Sequence, residues 1–309
     1  MGHAAQLQQD YLEMLNPAQR QAASYGQRQD DGGFGAGPLL VIAGAGTGKT
    51  MTLAHRVAHL IIQGVSPERI LLLTFSRRAA LEMTRRVESI VRKAVVGSSS
   101  APLSRGILPW SGTFHSIANR LIRRYAHNLG LDPGFSVLDR GDSSDLIDIV
   151  RHELSLSRKS RRFPKKDTCL SIYSRCVNTG KPLLASLNET FPWCADWEQE
   201  LRTLFRRYVE QKQKNHLLDY DDLLLYWHHL VADKELASEI GSWFDHILVD
   251  EYQDTNILQA EILDALKPDG NGITVVGDDA QSIYSFRAAD VENILSFPDH
   301  YTPTARVVS

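Results

Sequence analysis

No apolar run among the 309 residues approaches the roughly 20 that a membrane-spanning helix requires. The N-terminal stretch carries Asp10 and Glu13 and has no apolar segment, so it does not read as a secretory signal. Cysteine is scarce. Cys169, Cys176 and Cys194 have neither CxxC spacing nor a nearby pair of histidines, which argues against a zinc site and for reduced thiols that are buried or idle. These absences predict an intracellular, cytoplasmic chain with no membrane partner. An excess of basic charge is also missing: 34 Lys and Arg stand against 37 Asp and Glu, a formal charge of −3. Any polyanionic partner must therefore be held by a local patch. No internal repeat is present. What the chain does have is 43% hydrophobic residues, ample for a buried core in one large domain or two.

The segment from Leu40 to Thr50, LVIAGAGTGKT, is an apolar run that breaks into small residues and closes on a lysine and a threonine. A buried strand, then glycines, then a helix N-terminus points backbone N–H groups at one spot, and that spot binds phosphate. In the P-loop pattern Lys49 reaches the terminal phosphates and Thr50 holds Mg²⁺. Ala43 stands where the pattern opens with Gly, a small substitution, and Gly44, Ala45, Gly46, Thr47 and Gly48 complete the cradle. The flanks agree: Pro38 to Ile42 reads as a strand, while Leu53, Val57, Leu60 and Ile61 share one face of a helix that Gly64 stops.

Short, non-alternating apolar runs recur at Leu39 to Ala43, Ile70 to Phe75, Ile247 to Asp250 and Ile273 to Gly277, with Arg306 to Val308 as a fifth candidate. Strands buried on both faces of a parallel sheet read this way, and helical patterns such as Ala80, Met83, Val87 and Ile90 separate them. The expected fold is α/β, a RecA-like P-loop domain with a parallel sheet. Between about residues 126 and 214 the pattern becomes amphipathic and helical, without clear strands, as in an inserted helical subdomain. The RecA-like domain is then discontinuous, 1–125 with 215–309. Gly26 to Gly37 and Gly97 to Gly106 are too polar and too rich in Gly or Ser to read as packed elements, so both are expected to be surface loops.

A P-loop needs a carboxylate at the end of a neighbouring strand, and His246 to Glu251, HILVDE, provides one. Asp250 is the candidate metal residue and Glu251 the candidate general base. Two acids ending a strand also cap helices, but the upstream P-loop favours the catalytic reading. After Ile273 to Gly277 comes GDDAQSIYSFRAAD, in which Gln281 is placed to sense a γ-phosphate.

DEYQDTN from Asp250 to Asn256 and GDDAQSIYSFRAAD from Gly277 to Asp290 resemble the UvrD/Rep/PcrA type of superfamily 1 DNA helicases. LNPAQRQAA, Leu15 to Ala23, is similar to that family's Q motif, whose Gln, here Gln19, reads adenine. TFSRRAALEM, Thr74 to Met83, and GTFHS, Gly112 to Ser116, resemble its strand-binding motifs. FSVLD, Phe135 to Asp139, and LDYDDL, Leu218 to Leu223, resemble segments flanking the helical insertion. The resemblance spans nearly the whole chain in the family's motif order. It implies a motor that hydrolyses ATP with Mg²⁺ and moves 3′ to 5′ along single-stranded or partly duplex DNA, in repair, replication or recombination. It also implies association with the nucleoid in a bacterial cell. Phe75, Thr113, His115, Tyr284, Phe286 and Arg287 carry over as DNA contacts. Aromatic faces, Phe114 among them, suit sequence-independent stacking, and Arg77, Arg78 and Arg287 suit phosphates. Taken singly, each aromatic reads as core. RKSRRFPKK, Arg158 to Lys166, reads equally as a nucleic-acid patch or a solvated helix end.

Three positions depart from the family pattern. Met51 replaces an Arg that packs on adenine, Arg77 replaces an Asn, and Ala288 replaces a Gly. The closing YTPTARVVS resembles the strand leading into the family's next motif, which implies the N-terminal half of a helicase. The arginines of a second RecA-like domain, from the same or a partner protein, would then lie elsewhere, and turnover by this chain alone is expected to be poor. A non-catalytic nucleotide- or DNA-binding module that docks on another protein is the alternative.

Overall fold

The computed structural model describes residues 11–30, 32–44, 46–95, 107–156, 163–278 and 290–309. The strands are β1 Gln27–Arg28, β2 Phe34–Gly35, β3 Leu39–Ile42, β4 Ile70–Thr74, β5 Ser111–Thr113, β6 Ser136–Val137, β7 Leu217–Leu218, β8 His246–Val249, β9 Ile273–Gly277 and β10 Arg306–Val308. The α-helices are α1 Pro17–Ser24, α2 Lys49–Ile62, α3 Arg77–Val95, α4 Phe114–Arg124, α5 Arg140–Glu153 and α6 Lys166–Thr179. They continue as α7 Leu183–Thr190, α8 Glu198–Lys214, α9 Tyr220–Ala232, α10 Lys234–Ser242, α11 Ile257–Leu266 and α12 Glu292–His300. Among the described residues no helix is long and apolar enough to cross a membrane.

Two compact units form. One comprises Met1–Ile117, Val231–Thr255 and Ala260–Ser309, and the other Ala118–Leu230 with Asn256–Gln259. The first holds a six-stranded sheet in the order β10-β3-β9-β8-β4-β5, every pair parallel. This mixed α/β layering is the RecA-like fold that the apolar runs predict. β4, β8 and β9 are buried at every position, because strands covered by helices on both faces have no solvent side. The registers pair Ile42 with Gly277, Val249 with Val275, Leu73 with Val249 and Thr74 with Thr113. All the strand C-termini therefore reach one edge, where open α/β sheets bind ligands.

The sheet and α2 and α3 share a core that includes Leu39, Val41, Leu53, Val57, Leu60, Leu72, Met83, Val87, Leu248 and Val276. α2 is buried almost all round, from Thr52 to Leu60. Two of its buried polar side chains find partners on other elements: Arg56 donates to the carbonyls of Ala23 and Tyr25, and His59 Nδ1 pairs with the Tyr11 hydroxyl at 2.7 Å. Burial, aided by the Arg56 charge, lowers the His59 pKa to about 4, which keeps the ring neutral.

Three segments differ from what their sequence suggests. Gly26 to Gly37 is not a plain surface loop: β1 and β2 pair antiparallel within it, and Phe34 is buried edge-on against His59. The stretch 126–214 does contain a strand, β6, which pairs parallel with β7 and so joins the FSVLD and LDYDDL segments. β5 carries none of the apolar signal of its neighbours. Gly97 to Gly106 lies wholly outside the described residues.

The helical unit packs α5 to α8 around Ile147, Val150, Cys169, Leu170, Ile172, Leu187, Trp197, Leu201 and Leu204. Cys169 and Cys194 are free and buried, and burial pushes the Cys169 thiol up to about 12. A polar cluster crosses this core. Lys212, 2% exposed, donates to Asp219 Oδ2 and Asp222 Oδ2 at 2.6 Å each and to the Tyr173 hydroxyl at 3.3 Å. Tyr208 donates to Asp219 at 2.8 Å. The two aspartates also exchange bonds with each other's backbone N–H, at 2.9 and 2.8 Å, as a capping box for α9. Removing one member of a buried ion cluster strands the others. Lys212→Met is therefore expected to cost about 3–5 kcal/mol in urea unfolding followed by tryptophan fluorescence, and a loss under about 1 kcal/mol would show that water reaches the two aspartates.

Candidate functional site: a phosphate cradle facing two strand-end carboxylates

β3 ends at Ile42, and the chain crosses a short turn before Lys49 opens α2. Gly46 and Gly48 have φ of +74° and +88°, a region that L side chains avoid. A Cβ on Gly48 would also sit 2.9 Å from Gln19 Nε2. The turn is pinned by Thr47, whose Oγ1 donates to the Gly44 carbonyl at 2.7 Å and whose own carbonyl accepts from Gln19 Nε2 at 2.8 Å. Gln19 Oε1 accepts from the Asn16 backbone at 3.0 Å in a capping box at the head of α1. Gln19 is thus braced between α1 and the phosphate loop, with one N–H and one lone pair remaining. Ala43 donates its N–H to the Gly277 carbonyl at 3.0 Å, extending the β3–β9 pairing into the loop. Ala45 lies outside the described residues.

Lys49 is only 8% exposed, and its Nζ has no hydrogen-bond acceptor among the described residues. Two carboxylates face it: Glu251 Oε2 at 3.4 Å and Asp278 Oδ2 at 3.7 Å. Both come from the same sheet edge. Asp250 and Glu251 follow β8, Asp278 follows β9, and β9 lies directly between β8 and the phosphate-loop strand β3. Thr50 occupies the first turn of α2, half-buried. The backbone N–H of Asp250 donates to the Leu73 carbonyl at 2.9 Å, which continues the ladder to β4. Its side chain is buried, and burial, followed by the Glu251 charge, raises its pKa to about 6. Glu251 adopts a left-handed backbone, φ 51°, and its N–H donates to Asp250 Oδ1 at 3.1 Å. A non-glycine residue in that region is strained, and such strain gathers at functional sites.

Two residues to which the sequence gave no role complete the arrangement. Gln253 is buried; its Nε2 donates to Glu251 Oε2 at 2.8 Å, and its Oε1 accepts from the Asp278 N–H at 3.0 Å. One amide therefore joins the ends of β8 and β9. Gly277 permits this approach, because a Cβ there would lie 2.6 Å from Gln253 Oε1. Asp278 is the other residue. Both stand inside the DEYQDTN and GDDAQ segments, so the signal was present, but their partners are visible only in three dimensions.

Of the candidate DNA contacts, Thr113 ends β5, and Phe75, Arg77 and His115 follow β4 and β5, at the same edge as the phosphate loop. At about 4.8 Å per strand step, they lie some 14 to 19 Å along it from β3. Phe75 is half-buried. Arg77 and Arg78 are exposed in the first turn of α3, where the helix dipole disfavours cations; a bound phosphate would reverse that cost. Thr113 also serves the fold, since its Oγ1 accepts from the Ser116 N–H at 3.2 Å at the head of α4. Phe114 is a core residue, not a stacking face. Gln281, Tyr284, Phe286 and Arg287 lie outside the described residues, as does most of Arg158 to Lys166.

The buried Asp250 carboxyl has a consequence for pH. Its folded pKa, about 6, is raised above the ordinary 3.8. The folded chain thus binds the extra proton between about pH 4 and 6, and stability falls as pH rises through that window. Asp250→Asn is expected to raise metal-free, nucleotide-free stability by about 1–3 kcal/mol at pH 7.5, with the gain vanishing towards pH 4. Urea titrations at the two pH values check this, and an equal gain at both would contradict the burial argument.

The pattern of the UvrD/REP helicase N-terminal domain matches residues 15–302. The protein named ATP-dependent DNA helicase PcrA from Staphylococcus epidermidis strain RP62A is 35% identical over 276 residues, covering 88% of this chain and 35% of that relative. Its namesake in Staphylococcus aureus strain NCTC 8325 is 34% identical with the same coverage. The chain thus spans about a third of the length of the curated relatives it matches. On the match over 15–302, this chain belongs to the UvrD/REP helicase N-terminal domain family.

Proposed function

We propose that this chain is the ATP-binding motor portion of a 3′-to-5′ DNA helicase acting in DNA repair, replication or recombination. It binds Mg²⁺-ATP and single-stranded or partly duplex DNA in the cytoplasm, and it hydrolyses ATP poorly without a second RecA-like domain from the same or a partner protein. The first compact unit is the ATP-binding domain and the second the inserted helical subdomain. The observation that carries the reading is Lys49, a buried ammonium at a helix N-terminus with no hydrogen-bond acceptor among the described residues, facing carboxylates from the next two strands. Family membership and the names of the relatives support the same conclusion.

The residues present fit ATP and Mg²⁺. Lys49 has donors to spare, and the N–H groups at the head of α2 and the loop glycines suit phosphate oxygens. Thr50 and Asp250 would hold the metal, and a cation beside Asp250 would favour the ionised carboxylate that burial opposes. Bound Mg²⁺ neutralises charge on the phosphate oxygens. Glu251 takes the proton of the attacking water. Gln253 holds one of its oxygens, Oε2, which leaves Oε1 for the water. Gln19 reads the adenine edge with its remaining N–H and lone pair, and Gln281 senses the γ-phosphate. Phe75, Thr113, His115, Tyr284 and Phe286 contact the strand, with Arg77 and Arg287 on its phosphates.

Calorimetric ATP titration together with steady-state turnover, with and without single-stranded DNA, tests this beside Lys49→Ala. ATP is expected to bind the wild type, with affinity lost on the order of 10²-fold in the variant. Turnover of the chain alone is expected to stay near the variant's level. Binding equal to that of Lys49→Ala would overturn the ATP reading. Strong DNA-stimulated turnover would overturn the need for a second domain.

A further inference from the structure

We propose that the exposed face of α3 is a further nucleic-acid contact: single-stranded DNA that crosses the strand-end edge continues down this helix, its phosphates held by Arg78, Arg85 and Arg92. The proposal rests on the DNA-binding reading and extends it from the edge of the sheet to its flank.

Charge singles this helix out. In its 19 residues six Lys and Arg stand against two Glu, a net charge of +4 in a chain whose formal charge is −3. That is the local basic patch such a chain needs to hold a polyanion. At about 100° per residue, Arg78, Arg85 and Arg92 fall within about 40° of one another. All three are exposed, whereas Met83, Val87, Ile90 and Val91 lie on the opposite side, in the core. Arg86 is held by Glu82 one turn earlier. Arg78, Arg85 and Arg92 make no ion pair or side-chain hydrogen bond among the described residues, although Glu82 and Glu88 stand about a turn from them. Helix stability alone would favour pairing them, and at Arg78 the helix dipole opposes the charge outright.

The topology gives the stripe its direction. β4 and β5 pair parallel, so the helix that joins them runs back from the strand C-termini towards the opposite edge. α3 therefore starts beside Phe75 and Arg77, among the candidate DNA contacts, and leads away from them. At about 1.5 Å of rise per residue, successive arginines of the stripe stand roughly 10 Å apart and the three span about 21 Å. A guanidinium stays charged and meets phosphate oxygens in a fixed fork, so three in line suit a chain of phosphates better than one small anion. Leu81, exposed between Arg78 and Arg85, offers an apolar surface to a sugar or base. A duplex, with a persistence length of about 150 base pairs, resists turning from the sheet edge onto its flank. A single strand makes that turn, and continuity with the edge therefore selects it.

The test is fluorescence anisotropy of labelled oligothymidylates with the full chain over a range of salt. One oligomer, of about 8 nucleotides, covers the edge alone, and one of about 25 also reaches α3. The double variant Arg85→Gln, Arg92→Gln is expected to lose about tenfold in affinity for the longer oligomer at low salt. Its log–log salt dependence should flatten by about 1.4, the value for two single-strand phosphate contacts, while affinity for the shorter oligomer stays within about twofold of wild type. Arg85→Lys with Arg92→Lys keeps both charges and should hold the wild-type slope. Lys234→Gln removes an exposed cation from the first turn of α10 and should stay within about twofold with both oligomers. Thermal melts identify any variant that fails to fold. A wild-type slope in the folded glutamine variant, with wild type binding both oligomers, overturns this proposal alone, and so does an equal loss at the two lengths. Binding of oligoglutamate that depends on the two arginines, when DNA binding does not, would assign the face to an acidic protein segment and overturn it as well. Wild type binding neither oligomer overturns the DNA-binding reading and this proposal with it.

Discussion

The first unit is organised around one buried ammonium. Lys49 sits at the head of a helix that is covered almost all round, and the helix dipole adds partial positive charge at that end. Such a position is tolerable only where negative charge is delivered to it. At about 3.5 Å and an effective dielectric near 20, each carboxylate contributes roughly 4–5 kcal/mol of attraction before desolvation. Those carboxylates come from strands one and two removed from β3, and parallel pairing brings both to the same edge. An antiparallel partner would carry its C-terminal residue to the far side of the sheet. The all-parallel order β10-β3-β9-β8-β4-β5 is thus what allows the lysine to be buried.

Gathering the carboxylates creates its own conflict. Asp250 and Glu251 are adjacent in sequence, and burial already disfavours ionised Asp250 before its neighbour's charge is added. The backbone at Glu251 is forced left-handed, at a cost of order 1–3 kcal/mol. Gln253 eases the arrangement by donating to Glu251 while accepting from Asp278. The site is therefore under electrostatic tension that a cation beside Asp250 and a polyanion beside Lys49 would relieve together. That is a physical reason for such a site to prefer a metal–nucleotide pair.

The strands that carry chemistry were legible because they are buried on both faces: ILLLT, HILV and ITVVG leave no alternation to confuse with an amphipathic element. The phosphate loop was legible for a related reason, since positive φ at Gly46 and Gly48 demands glycine. Signals of other kinds failed. β5 is Ser-Gly-Thr, held in the sheet by its pairing with β4 rather than by its own apolarity. Phe34 becomes core only because His59, 25 residues on, offers an edge. β6 and β7 are short stretches 80 residues apart whose pairing no local pattern announces. Gln253 and Asp278 could be quoted within motifs, but a hydrogen bond between strand ends is a property of sheet order, which composition does not encode.

The chain contains a second deeply buried lysine, and the contrast shows how function can be argued from polar satisfaction. Lys212 places its three N–H donors on Asp219, Asp222 and Tyr173, with the rings of Tyr173 and Tyr208 5.0 and 4.5 Å from its Nζ. Nothing is left for a ligand, and removing the cation only harms the fold. Lys49 is nearly as buried, yet among the described residues its Nζ makes no hydrogen bond, with Glu251 and Asp278 standing at 3.4 and 3.7 Å. Folding alone would favour closing those gaps, as it does at Lys212, because each unmade bond to a buried charge forgoes about 1.5–3 kcal/mol. A site that keeps its donors unspent while surrounding them with charge is arranged for a ligand that brings better acceptors than the protein provides. Of the two lysines, only Lys49 combines unspent donors with a helix N-terminus and a glycine turn, a combination that suits the oxygens of a phosphate.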